Sequence, residues 1–145
     1  MNNKLILSFL ILLFSQSCLA DDTYGNLTIR VNGLLNDHGK VIANLFREGD
    51  EVMKIEKAYL HAQGTISDKQ TVIVFQNLKY GKYAVSVFQD ENDNGKLDHN
   101  MFSMPAEPLG FSNGFSLGLF SGLPSFEKLK FTFGSDADTI DITIK

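Results

Sequence analysis

Disulfides are closed to this chain. Its 145 residues include one cysteine, Cys18, which lies in the N-terminal leader. Stability must therefore come from packing and from any metal the chain binds. A zinc site, which needs a Cys/His cluster, is excluded on the same ground: the three histidines, His38, His61 and His99, stand isolated in turns or polar stretches. After Phe14 no apolar run approaches the roughly 20 residues that span a bilayer. Positive charge is not in excess either, with 13 Lys and Arg against 17 Asp and Glu, and loss of Lys4 with the leader takes the net charge from −4 to −5. That balance argues against nucleic acid or an anionic membrane surface as a partner. Helical periodicity is almost absent, and internal repeats and phosphate-binding glycine motifs are missing.

The first 20 residues read as a signal peptide, with a mature domain over residues 21–145. Lys4 supplies the positive start, Leu5 to Phe14 the short apolar region, and Cys18-Leu19-Ala20 the small residues before a cut after Ala20. The product is periplasmic or secreted. A second reading makes Cys18 a lipid anchor, suited by Ser17 but not by Ser15, which stands where such sites carry a leucine-like residue.

Apolar residues are plentiful in the mature domain, and ten of the 12 phenylalanines lie beyond Ala20. The remaining length of about 125 residues fits one domain. Leu27, Ile29 and Val31 alternate with polar residues, which predicts a strand with one wet face. Asn36-Asp37-His38-Gly39 reads as a turn and Val41–Phe46 as the return strand of a hairpin, apolar on both sides except at Asn44. A short helical turn fits Val52, Ile55 and Tyr59, and an edge strand fits Tyr59–Ile66. Further strands are read at Thr71–Phe75, at Tyr83–Phe88 after Gly81, at Leu129–Phe133 and at Ile140–Ile144. In the second of these, Tyr83, Val85 and Val87 take one face and Ala84, Ser86 and Phe88 the other. The fold class predicted is all-β: a single Ig-like or transthyretin-like β-sandwich of about seven strands, monomeric, with one long ordered loop.

Asp90-Glu91-Asn92-Asp93-Asn94-Gly95-Lys96-Leu97-Asp98 carries side-chain oxygens at alternate positions and a glycine where the turn tightens. This is the start of a calcium loop, D-x-[DN]-x-[DN]-G. Asp90, Asn92, Asn94 and Asp98 would give side-chain oxygens and Lys96 only its carbonyl. Met101 stands where an EF-hand has its bidentate glutamate, and a strand rather than a helix leads in. Completion is assigned to Glu107, with Asn100 as the weaker candidate. The expected cofactor is a structural Ca²⁺ bound at about 10⁻⁴–10⁻³ M. The rival reading is a solvated turn, since Asp, Asn and Gly are common turn residues.

Phe102 to Phe126 is glycine- and proline-broken and holds five phenylalanines. That many rings argue for an ordered flap that plugs one end of the sandwich. Its binding residues would be Phe111, Ser112, Asn113, Phe115 and Phe120. Phe115, Leu117, Leu119 and Phe120 form either an exposed apolar patch or core. Gly110-Phe111-Ser112-Asn113-Gly114 matches the hydrolase string G-x-S-x-G, but all three histidines precede Ser112 and no helix-forming run comes after it. No catalytic residue is assigned.

The run Phe75 to Val87, with its leucine, glycine and alternating valines, resembles transthyretin-like and carboxypeptidase-regulatory-like modules. The order of Gly81-Lys82-Tyr83-Ala84-Val85, the Asp-rich loop, Pro105-Ala106-Glu107-Pro108-Leu109-Gly110-Phe111-Ser112-Asn113 and Leu123-Pro124-Ser125-Phe126-Glu127 resembles the bacterial DUF2141 family. Ala106 departs from that family's pattern, which has a basic residue between Pro and Glu. The resemblance implies an exported single domain in which loop and Gly-Phe-Ser-Asn segment form one local structure. It supplies no substrate. The function expected is a calcium-stabilised binding or accessory module whose partner is a protein, glycan or envelope component. The alternative is a periplasmic hydrolase or small-molecule carrier using the Gly110–Phe126 flap.

Overall fold

A computed structural model describes residues 23–118 and 120–145. The leader, Cys18 and Leu119 lie outside the described residues. Eight strands form two sheets: β1 (Tyr24–Asn32), β2 (Lys40–Phe46), β3 (Leu60–Thr65), β4 (Thr71–Lys79), β5 (Gly81–Asp90), β6 (Leu109–Phe111), β7 (Phe131–Phe133) and β8 (Thr139–Thr143). The three-stranded sheet runs β4-β1-β8 and the other β3-β2-β5-β6, with β7 also on β5. The molecule is an all-β sandwich with one strand more than the sequence pattern predicts.

The inner core follows from alternation. Leu27, Ile29 and Val31 of β1 and Ile73 and Phe75 of β4 meet Val41, Ala43 and Leu45 of β2 and Tyr83, Val85 and Val87 of β5. In β4 the period slips: Asn77 takes a positive φ of 51° and its N–H donates to Asn26 Oδ1 at 3.1 Å. The register shift opposite, between Gly25 and Leu27, marks a bulge that turns Leu78 inward.

Three expectations about the strands are corrected. β1 and β2 are not a hairpin: β1 pairs with β4 and, in parallel, with β8, whereas β2 lies between β3 and β5. The physical reason is in the faces. β1 alternates and keeps a wet side, so it suits the sheet with an open outer face. β2 is apolar on both sides and belongs at the centre of the sheet that is covered on both. Second, Leu129 ends the four-residue helix α1 (Phe126–Leu129), and the strand begins only at Phe131. Third, the segment read as irregular contains β6, whose Gly110 approaches Ile142 so closely that a Cβ would lie 2.7 Å from its Cγ2.

Phe46, Val52, Ala84, Phe111, Phe126 and Leu129 form a second core on the outer face of the larger sheet. The flap therefore lies across that face rather than plugging one end. Its rings divide: Phe111 and Phe126 are buried, Phe115 is half-buried, and Phe102 and Phe120 are exposed, the last completely. The single helical turn expected near Val52–Tyr59 is a 3₁₀ turn at Ile55–Lys57.

Candidate functional site

β5 ends on Asp90, a fully buried carboxylate. Its Oδ1 accepts the Asn94 N–H at 3.1 Å and its Oδ2 the Gly95 N–H at 2.8 Å. Asn92 Oδ1 accepts from the Asn94 N–H at 3.0 Å, and Asn94 Oδ1 from the Lys96 N–H at 2.8 Å. The Asn92 and Asn94 amides both donate to Asp98, at 2.7 Å and 3.0 Å. The chain curls tightly enough for this because Gly95 takes a φ of 76°, where any larger residue is strained. Alternate side chains thus converge, while Lys96 enters through its backbone N–H and is itself exposed.

Glu107 closes the loop from the flap side. It is buried, with Oε1 accepting the Glu91 N–H and Oε2 the Asp98 N–H, each at 3.1 Å. Burial pushes its carboxyl above the usual range, the two N–H donors oppose this, and the charges of Asp90 and Asp98 add to the upward push. Lys40 is the loop's own cation, 3.5 Å from Asp90 and 3.2 Å from Asp93. Asn100 is not in the ring: its Oδ1 accepts the Phe102 and Met104 N–H groups and closes a separate turn. Among the described residues, no three His, Cys, Asp or Glu side chains are grouped to hold a metal. Any ion here would depend on amide and carbonyl oxygens beside the carboxylates.

The flap residues take different places. Ser112 is buried, accepts the Val85 N–H at 2.9 Å and donates to the Leu129 carbonyl at 2.7 Å. Asn113 donates to the Lys128 carbonyl at 3.0 Å, and Phe115 stacks edge-on against Phe111 with ring centres 5.5 Å apart. Lys128 pins the next stretch through the Ser121 and Leu123 carbonyls at 2.8 and 2.9 Å. The Ser112 hydroxyl bonds backbone groups and no base, so the G-x-S-x-G string is a structural tie.

Loop and flap meet over a cavity of about 520 Å³ on the outer face of the larger sheet. Its floor is Ile42 and Asn44 of β2, His61 of β3, Ser86 and Phe88 of β5 and Leu109 and Phe111 of β6. Gly95–Leu97 and His99 form one wall, Met104 and Pro105 a second, Leu117, Leu123 and Pro124 a third, and the Val52–Glu56 segment the fourth. The volume falls within the range of small-molecule sites.

A polar row crosses this apolar floor, and the sequence pattern does not reveal it. Register pairs His61 with Asn44 and Asn44 with Ser86. His61 Nδ1 lies 2.8 Å from Asn44 Oδ1, and Asn44 Nδ2 donates to Ser86 Oγ at 3.4 Å. Asn44 and Ser86 are buried. The amide separates imidazole from hydroxyl, so Ser86 has no base and the row is not a nucleophilic triad. The one available signal was Asn44, the sole polar residue between Val41 and Phe46.

No helix among the described residues is long and apolar enough to cross a membrane. No curated protein and no solved structure matches the chain. A family described as an uncharacterized protein conserved in bacteria matches residues 29–141, nearly all of the sandwich from β1 into β8. The chain belongs to this family, DUF2141.

Proposed function

We propose that this chain is an exported binding module whose small ligand occupies the cavity between loop and flap, with Ca²⁺ bracing the loop. The observation that carries the reading is the cavity itself. Loop and flap, separate in sequence, wall a single space of about 520 Å³ over a mostly apolar floor. Surface apolar residues cluster at its rim, with Met53, Met104, Leu117 and Leu123 both exposed and cavity-lining. An enzyme reading has less support, because neither Ser112 nor Ser86 contacts a base.

The test is binding of a neutral environment-sensitive fluorophore, N-phenyl-1-naphthylamine. The parent is expected to bind it with a rise in emission. Ile42→Trp, which adds bulk to the cavity floor from a half-buried position, should weaken binding at least tenfold with the fold retained. Equal binding by both proteins would place the ligand elsewhere.

Calcium enters as a structural cation. Asp90, Asn92, Asn94, Asp98 and Glu107 would hold it with the Lys96 carbonyl, an all-oxygen set that suits this hard ion. Two buried carboxylates, Asp90 and Glu107, support the assignment. The ion would supply charge to pin the wall; it is given no part in chemistry. Lys40 already neutralises part of the loop, so the gain is modest. The exported character rests on the leader, with cleavage after Ala20 or lipidation at Cys18 as the two routes.

A further inference from the structure

The polar row at the floor limits what the cavity accepts, granted that the cavity is a binding site. Asn44 and Ser86 are buried in a surface made otherwise of Ile42, Phe88, Leu109 and Phe111. Burying polar groups in an apolar wall is unfavourable unless they are hydrogen-bonded. Within the row Asn44 Oδ1 lies 2.8 Å from His61 Nδ1, a contact that holds the amide in place. Ser86 Oγ receives the Asn44 amide through a long 3.4 Å contact, and its own O–H remains to donate. The row therefore offers one hydroxyl donor at the bottom of an apolar space, with His61 at its exposed edge. The charged lining residues, Lys96 and Glu56, are exposed and opposite in sign. The two buried groups of the row, the Asn44 amide and the Ser86 hydroxyl, carry no charge.

We infer that the ligand is an uncharged, largely apolar molecule carrying one hydrogen-bonding oxygen, an alcohol or carbonyl, that docks head-first on the Asn44–His61–Ser86 row. The oxygen accepts from the Ser86 hydroxyl, which the Asn44 amide holds in place. A carboxylate or ammonium of the same length would be stripped of water with no counter-charge and is rejected. About 520 Å³, at about 30 Å³ for each water-sized group, has room for roughly 17 non-hydrogen atoms. A medium-chain alcohol, aldehyde or ester fits within that volume.

Displacement of N-phenyl-1-naphthylamine by decan-1-ol, decanoate and decyltrimethylammonium tests this at neutral pH. The alcohol is expected to displace the fluorophore at concentrations at least tenfold below either ion. Ser86→Ala should weaken the alcohol about fivefold, the loss of one hydrogen bond. His61→Ala, at an exposed edge-strand position, removes the contact that holds the Asn44 amide against Ser86; it should weaken the alcohol several-fold and serves if the serine variant does not fold. Equal displacement by all three, or an alcohol indifferent to both substitutions, overturns the head-first assignment while the cavity remains a binding site. Failure of the fluorophore to bind at all overturns both readings.

Discussion

Ser112 shows how far one side chain's role depends on what surrounds it. In the sequence it sits in a hydrolase-like string; in the fold its hydroxyl joins β5 to the end of α1 through Val85 and Leu129. Ser112→Ala would leave the buried Val85 N–H and Leu129 carbonyl short of a partner. A loss of about 1–3 kcal/mol is expected, read from denaturant melts, with fluorophore binding retained. Glu107 carries a pH prediction. Its folded pKa lies above the ordinary glutamate value of about 4.3, so the folded state holds the proton more tightly than the unfolded chain. Its contribution is present in full below that ordinary value and is lost as pH rises through the raised one. In chelator, stability should therefore fall over the window just above the ordinary value, and Glu107→Gln should remove that slope. An unchanged slope would show that burial does not govern this carboxyl. Glu107 was legible in the sequence because it lies a short way beyond the loop. The His61–Asn44–Ser86 row was not, because its members are 17 and 42 residues apart and meet only through strand register.

At the scale of elements, alternation carried most of the fold. The two faces of β5 follow from Tyr83-Val85-Val87 against Ala84-Ser86-Phe88, and its burial on both sides matches its central place. Pairing partners were harder to read. A turn between β1 and β2 looks the same whether the chain folds back in one sheet or crosses to the other, and only the wet face of β1 distinguishes them. β6 escaped because three residues containing a glycine carry no period; its order comes from pairing with Ser86–Phe88. The Asp90–Asp98 loop was legible as a tight turn, and in the fold the side chains of Asp90, Asn92, Asn94 and Asp98 close it through hydrogen bonds; its calcium prediction belongs here. At tenfold excess over its dissociation constant, Ca²⁺ should add about 1.4 kcal/mol, raising the melting midpoint by a few degrees, reversed by chelator. Asp90→Ala loses stability outright, since Asp90 also holds the Asn94 and Gly95 N–H groups, but should show no calcium-dependent increment. A parent midpoint indifferent to millimolar calcium would remove the ion from the account.

The whole molecule is asymmetric. One sheet, β4-β1-β8, turns a wet face outward, with Val72 and Val74 exposed beside Arg30. The other carries a second apolar layer built from the flap, the Val52–Glu56 segment and the loop, and the cavity lies within that layer. Packing of this kind concentrates ligand-accessible apolar surface on one side. The measurement that tests this most directly is a map of backbone amide chemical shifts during titration with N-phenyl-1-naphthylamine. Ser86, Phe88, Leu109 and the Gly95–Leu97 wall are expected to shift together with one affinity, while Thr71–Val74 stay still. Shifts confined to the three-stranded sheet, or none at saturating fluorophore, would contradict the account.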